Sequence, residues 1–329
     1  MVGRQKIVHT SVLSVKAIFV IMFKTLRKVT DLNINKLKKE KNAVILAHYY
    51  VDGEVQKIAD YVGDSFYLAR KATEIKADKV IMAGVYFMGE SVKILNPDKK
   101  VYMVDLEADC PMAHMISVKE IEEMRKKYDD LAVVCYINST AEIKAHSDLC
   151  CTSSNAVKIV GKLKEKNIFF IPDKNLGGNI AKALPEKNII LNQGYCPVHN
   201  NIDAQKVRNM KKSYPNAKVL AHPECRSEVV EIADYVGSTS GIIGEIEKNP
   251  KAQYIVVTEE GIGSEIKNRC PDAEIHFPEA MICRDMKLIT PEKVEELLEK
   301  EINEIQVDEK ITEAAKIPLK RMLELGSAK

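Results

Sequence analysis

AHYYVDGEVQKIADYVGDS (residues 47–65), CYINSTAEIKAHSDLCCTS (135–153) and AHPECRSEVVEIADYVGST (221–239) are three versions of one segment, and the first and third share ADYVG outright. Aligned without gaps, His48, Tyr136 and His222 recur at intervals of 88 and 86 residues, and Ser65, Ser153 and Thr239 keep the same intervals. Self-similarity at a fixed period marks a structural unit built several times over. Further along, FMGESVKIL (87–95), NLGGNIAKAL (175–184) and GIGSEIKNR (261–269) align Gly89, Gly177 and Gly263, and each is followed by a cysteine: Cys110, Cys196 and Cys283. After each cysteine, Ser117, Asp203 or Thr290 stands where a helix N-cap is needed. Four residues on, Ile121, Val207 or Val294 opens the apolar face.

Each copy reads as helix, short apolar strand, loop, helix, strand, Gly-containing loop, helix, strand and Cys loop. The strands are AVIL, KVIMAG and KVYMV in the first copy, LAVV, IFFIP and NIILN in the second, and AKVL, YIVVT and EIHFP in the third. Short apolar runs alternating with helical patterns imply parallel sheets covered by helices on both faces. The expected fold is α/β: three homologous three-layer αβα units around a pseudo-threefold axis. We assign residues 29–130, 131–216 and 217–290 to units 1, 2 and 3, and expect the helical chain over 291–329 to pack back on unit 1.

The 329 residues carry 49 Lys and Arg against 47 Asp and Glu, a net charge of +2. That balance gives no electrostatic reason for a nucleic acid or membrane partner. With no Trp and 6% aromatic residues, a base-stacking surface is disfavoured as well. Eight cysteines without close, regular spacing do not form a disulfide framework, which favours a reducing, cytoplasmic setting. Residues 1–28 read as an extension outside the core, with Met22 an alternative start. Their apolar run VLSVKAIFVIMF is too short to span a bilayer and contains Lys16, and no small-residue cleavage site follows it.

In parallel sheets, ligands bind beyond the carboxyl ends of the strands. His48 and Tyr50, Tyr136 and Asn138, and His222 and Glu224 fall there in the three units. Ser65, Ser153 and Thr239 lie at helix starts, where hydroxyls and free N–H groups take phosphate or carboxylate, although a Ser or Thr in that place is by default a cap. Cys135, Cys150, Cys151, Cys225 and Cys270 read as buried apolar thiols, and His9, His114, His146, His199 and His276 as satisfied histidines. Cys110, Cys196 and Cys283 occupy equivalent places in three copies. Three thiolates suit zinc or an iron–sulfur cube, and the spacing, with no CxxC run, leaves both open. A cube on three cysteines keeps one iron open as a Lewis acid.

AHYYVDGEVQKIADYVGDS, YINSTAEIKA, CCTSSNAV, NQGYC, AHPEC, DYVGSTSGI and PEAMIC, taken in order over about residues 42–297, resemble the signature stretches of the quinolinate synthases. The resemblance implies a [4Fe-4S] cluster held by Cys110, Cys196 and Cys283, and condensation of iminosuccinate with dihydroxyacetone phosphate to quinolinate, phosphate and water in NAD biosynthesis. It makes Glu224 and Tyr50 the acid/base pair, assisted by His48 and His222. Ser65, Tyr136, Asn138, Ser153 and Thr239 would hold substrate carboxylates or phosphate. An aspartate oxidase or dehydrogenase is the candidate source of the imine, by a transient hand-over that the sequence leaves open. The third cysteine stands alone in MIC (281–283), without the neighbouring cysteines some members carry, so no disulfide switch is expected. The rival functions are a non-enzymatic Fe–S or zinc carrier and a dehydratase of a small hydroxy acid; a phosphorylated substrate, for which the Ser153 and Thr239 hydroxyls argue, fits neither.

Overall fold

The structure, a computed structural model, describes residues 33–327; the N-terminal apolar run and Met22 lie outside the described residues. Among the described residues, twelve strands form three sheets of four. The first holds β1 (Ala43–His48), β2 (Tyr61–Gly63), β3 (Lys79–Ala83) and β4 (Lys100–Met103). The second holds β5 (Leu131–Tyr136), β6 (Leu149–Cys151), β7 (Asn167–Ile171) and β8 (Asn188–Leu191). The third holds β9 (Lys218–Ala221), β10 (Tyr235–Val236), β11 (Gln253–Val257) and β12 (Glu274–His276). Every sheet has the spatial order second, first, third, fourth, and all pairings within the sheets are parallel. The three-unit α/β architecture expected from the repeat is present.

One strand per unit escapes the apolar pattern. β2, β6 and β10 are only two or three residues long, too short for a run to register. An aspartate precedes each pair or triplet and locks it to the sheet. Asp60 Oδ2 accepts from the Ile45 N–H at 2.8 Å, Asp148 Oδ2 from Val133 at 2.7 Å and Asp234 Oδ2 from Val219 at 2.8 Å. The N–H of each aspartate donates back to the carbonyl of the same strand residue. The shared ADYVG therefore encodes a reciprocal side-chain clamp that fixes where the edge strand begins.

The expected helix starts after the cysteines are present. Ser117 forms a capping box with Glu120, Asp203 accepts from Gln205 N–H and Thr290 from Lys293 N–H. The aligned glycines differ from expectation: Gly89, Gly177 and Gly263 lie inside helices Tyr86–Leu95, Lys174–Ala183 and Ile262–Arg269 rather than in loops. In the first two units the reason is steric. A Cβ on Gly89 would meet Met103 Sδ at 2.2 Å, and one on Gly177 would meet Leu191 Cδ2 at 2.6 Å, so the glycines let the helix approach the sheet.

The chain after Thr290 divides. Helix Pro291–Lys300 buries Val294, Leu297 and Leu298 against unit 1, where Asn33 donates to Glu295 at 2.5 Å. Residues 303–305 then run along the outer edge of β4, with Met103 N–H donating to Asn303 and Ile305 N–H to Val101, which covers an otherwise open edge. The final helix, Glu309–Ser327, lies mainly on β6 and helix Ala141–Ala145 of unit 2, and also touches helix Tyr86–Leu95 of unit 1. One apolar core runs through units 1 and 2 and these closing segments, whereas unit 3 has two separate cores.

Candidate active site

In each sheet the first and third strands are central, and the chain leaves them toward opposite edges, which opens a crevice at their carboxyl ends. The three crevices face one another. His48, Tyr50, Ser65, Cys110, Tyr136, Asn138, Ser153, Cys196, His222, Glu224, Thr239 and Cys283 all line a single central cavity of about 690 Å3 of unfilled space, part of it open to solvent. All the residues singled out in the sequence are thus brought together.

The first-strand loops share one local design. Tyr50 N–H donates to Nδ1 of His48 at 3.2 Å, and Glu224 N–H to Nδ1 of His222 at 3.4 Å. An Nδ1 that accepts leaves the proton on Nε2, and the His222 Nε2 lies 3.3 Å from the Ser153 hydroxyl. Burial lowers the pKa of His48 to about 4 and that of His222 to about 3, with Glu224 acting the other way. Both imidazoles are therefore neutral donors at pH 7.

A hydrogen-bonded chain crosses the cavity wall from unit 1 to unit 2. Tyr50 OH is 2.9 Å from Thr239 Oγ1 and 2.8 Å from Thr258 Oγ1. Thr258 Oγ1 is 2.9 Å from Nε2 of His199, whose Nδ1 is 2.8 Å from Glu224 Oε2; Tyr136 OH donates to Glu224 Oε1 at 2.5 Å. Thr258 Oγ1 thus bridges the Tyr50 hydroxyl and one ring nitrogen of His199, whose other nitrogen faces the Glu224 carboxylate. Burial pushes the Glu224 carboxyl up, but the imidazoles of His222 and His199 and the bonds from His199 and Tyr136 hold it below the usual range, so it is ionised. Burial and the Glu224 charge raise both Tyr50 and Tyr136, which keeps the phenols protonated.

The hydroxyls at helix starts are not the caps. Asp64 accepts from Tyr67 N–H, Ser238 from Gly241 N–H, and Asn155 is the N-cap of helix Ala156–Gly161. Ser65, Ser153 and Thr239 consequently face the cavity. Asn138 Oδ1 is buried without a hydrogen-bond partner, an open position for a ligand donor.

The three cysteines lie where the cavity meets a second, outer depression: both spaces are lined by Cys110, Cys196, Val198 and Cys283. All three thiols are free and half-buried, and each precedes a short helical turn: Pro111–His114, Pro197–Asn200 or Arg284–Lys287. N–H groups of those turns face the sulfurs, from Met112 and Ala113 for Cys110, His199 for Cys196, and Asp285 and Met286 for Cys283. Burial raises every one of the thiols, Cys283 to about 11, and neighbouring thiols add to the effect at Cys110 and Cys196. Only a cationic centre would make three such groups thiolates together. Among the described residues, the three ligand atoms found within 4.8 Å of one another belong to Cys196, His199 and Glu224, not to the three cysteines. At least one pair of the three sulfurs therefore lies more than 4.8 Å apart, which does not favour a single tetrahedral zinc.

Sequence reasoning missed several members of the site. His199, a satisfied histidine by its sequence alone, has its Nδ1 3.2 Å from Cys196 Sγ, and its place three residues after that cysteine, on one helical turn, is the available signal. Thr258 shows in the sequence only as the end of the strand YIVVT. Asp64 and Thr152, each one residue before an aligned hydroxyl and inside the repeated segments, also line the cavity, as does Glu259, which lies outside them.

The family model described as NadA, quinolinate synthetase A protein, matches residues 32–324. A quinolinate synthase of Fusobacterium nucleatum is 61% identical over 293 residues, covering 89% of this chain and 98% of the relative. Those of Caldicellulosiruptor bescii and Aquifex aeolicus are each 48% identical over 89% of this chain and cover 97% and 93% of their own lengths. No helix among the described residues is long and apolar enough to cross a membrane. The repeated units, the shared cavity and these matches agree: the chain is an enzyme that belongs to the quinolinate synthase family.

Proposed function

We propose that the enzyme condenses iminosuccinate with dihydroxyacetone phosphate to quinolinate, with loss of phosphate and water, and that Cys110, Cys196 and Cys283 hold a [4Fe-4S] cluster. When bound, the cluster supplies an open iron as a Lewis acid. The observation that carries this reading is the continuous hydrogen-bonded chain from Thr239 and Tyr50 through Thr258 and His199 to Glu224 and Tyr136. Ring formation needs a carbon-bound proton removed and oxygens protonated as they leave. Glu224, ionised and at the cavity wall, is the base. Tyr50, kept protonated by burial and the Glu224 charge, is the acid, at the far end of the same hydrogen-bonded chain.

His48 and His222, neutral with the proton on Nε2, orient substrate carboxylates or the triose carbonyl, His222 beside the Ser153 hydroxyl, and Asn138 adds an unsatisfied group. Ser65, Ser153 and Thr239 offer hydroxyls where helices begin, a setting that favours the phosphate. Eight free thiols suit a reducing compartment such as the cytoplasm. Because an imine hydrolyses readily, an aspartate oxidase or dehydrogenase would supply it nearby. The test is anaerobic assay of the full chain, with intact cluster, on dihydroxyacetone phosphate and freshly generated iminosuccinate. Stoichiometric quinolinate and inorganic phosphate are expected; no quinolinate from fully clustered protein would refute the reading.

A further inference from the structure

Behind the three cysteines is a second threefold pattern, formed by backbone and carboxylates rather than by thiols. The residue two before each cysteine accepts through its carbonyl from an equivalent residue after the third strand, the first of the helix in units 1 and 2 and two before it in unit 3: Ala108 from Tyr86 at 2.8 Å, Gly194 from Lys174 at 2.8 Å and Met281 from Glu260 at 2.9 Å. One position earlier than those donors stand Val85, Asp173 and Glu259, again 88 and 86 residues apart. In units 2 and 3 this residue is a fully buried acid, and both of its oxygens are used.

Asp173 Oδ1 accepts from Leu176 N–H at 2.7 Å and so caps its helix, while Oδ2 accepts from the N–H of Cys196 at 3.0 Å. Glu259 Oε2 accepts from Gly261 N–H at 2.6 Å. Its Oε1 accepts from the N–H of Cys283 at 3.3 Å and from Lys287 Nζ at 3.0 Å, and Lys287 also donates to the carbonyl of Tyr50 at 3.0 Å. Unit 1 has apolar Val85 at the equivalent place, and there the N–H of Cys110 donates at 2.8 Å to Asp109 Oδ1, an exposed side chain of the same loop.

We infer that Asp173 and Glu259 are positioning residues for the metal centre: they fix the peptide N–H of Cys196 and Cys283, and so the direction of each thiol, from the rigid ends of the central strands. Asp109 does the same for Cys110 from within its loop. A fully buried acid is costly unless its oxygens are all hydrogen-bonded, and one oxygen of each acid is occupied by a cysteine N–H. Capping alone explains only one oxygen of Asp173 and nothing of Glu259. Groups that orient metal ligands in this way change metal affinity by about 10–100-fold when altered.

The inference rests on the three-cysteine cluster reading, and an amide substitution separates the two. In Asp173→Asn the side-chain oxygen keeps the helix cap, for which Asn and Asp are equivalent, and the new NH2 is left facing the Cys196 N–H. Glu259→Gln likewise keeps one acceptor and leaves its NH2 either against the Cys283 N–H and Lys287 or against the Gly261 N–H. The full chain and both variants are loaded anaerobically, and iron release to bathophenanthroline disulfonate is timed, alongside the melting temperature of the metal-free proteins. Release is expected to accelerate about tenfold or more in each variant, with metal-free melting temperatures close to the parent's. Release within twofold of the parent in both, or faster release matched by a general loss of melting temperature, would overturn the inference. Should Asp173→Asn fail to fold, Glu259→Gln decides alone. A parent that takes up no iron would instead overturn the cluster reading, and this inference with it.

Discussion

Two rings of side chains surround the same cavity, built from the same repeat, and they have diverged to different degrees. The ring after the fourth strands is Cys110, Cys196 and Cys283, identical in all three units and each followed by a helical turn whose N–H groups face the sulfur. The ring after the first strands is His48 with Tyr50, Tyr136 with Asn138, and His222 with Glu224, different in every unit. A ligand with a threefold axis of its own asks for three equal donors, while a reaction joining two unlike substrates asks for unlike groups at defined places. The symmetric ring thus has the form of a metal-cluster seat and the asymmetric ring that of a catalytic wall.

If this division is right, damage to the symmetric ring is the most severe and is the same at each position. Cys110→Ser, Cys196→Ser and Cys283→Ser should each lose the cluster and with it activity, down to background. One variant with full iron and sulfide content would break the equivalence. In the asymmetric ring, Glu224→Gln should keep the cluster and lose turnover by about 100-fold or more, the size expected for a missing general base. Undiminished turnover would remove the assignment of the base and leave the seat standing.

The connection between acid and base allows a sharper cut. Thr258→Val removes the hydroxyl between Tyr50 and His199 at nearly constant volume, and should lower kcat by about tenfold with KM little changed, while Thr258→Ser recovers most of it. Equal loss in Ser and Val would point to packing and not to the hydroxyl.

The neutral histidines make a prediction for pH. Folded His48 and His222 take up protons only near pH 4 and 3, whereas in the unfolded chain they do so near 6.5. Their contribution to stability is full above 6.5 and is lost as pH falls toward those values. The metal-free protein should melt about 5–10 °C lower at pH 5 than at pH 7.5, and His222→Asn should flatten that slope; an unchanged slope would contradict the burial of a neutral imidazole. Smallest of all, Cys150→Ser, in the buried strand β6, should change iron content and turnover by less than about twofold, with its cost confined to stability.

The sequence disclosed what the repeat repeats. Cysteines, histidines and hydroxyls at fixed intervals were visible because symmetric demands keep equivalent residues at equivalent positions. What was hidden has a physical cause in each case. The strands β2, β6 and β10 are too short to show alternation and are held by Asp60, Asp148 and Asp234, whose role is a hydrogen bond to a strand fifteen residues earlier. Asp173 and Glu259 act on cysteines 23 and 24 residues away through a peptide N–H, which leaves no local motif. His199 and Thr258 serve an asymmetric function, so the repeat gives them no counterpart to be recognised by.

The cluster seat itself is tested most directly by counting metal and sulfide in full-chain protein prepared without oxygen. Four iron and four sulfide per chain, roughly, with only trace zinc and with loss of colour in air, is the predicted result. Stoichiometric zinc, or iron that survives replacement of any one of Cys110, Cys196 and Cys283, would contradict it.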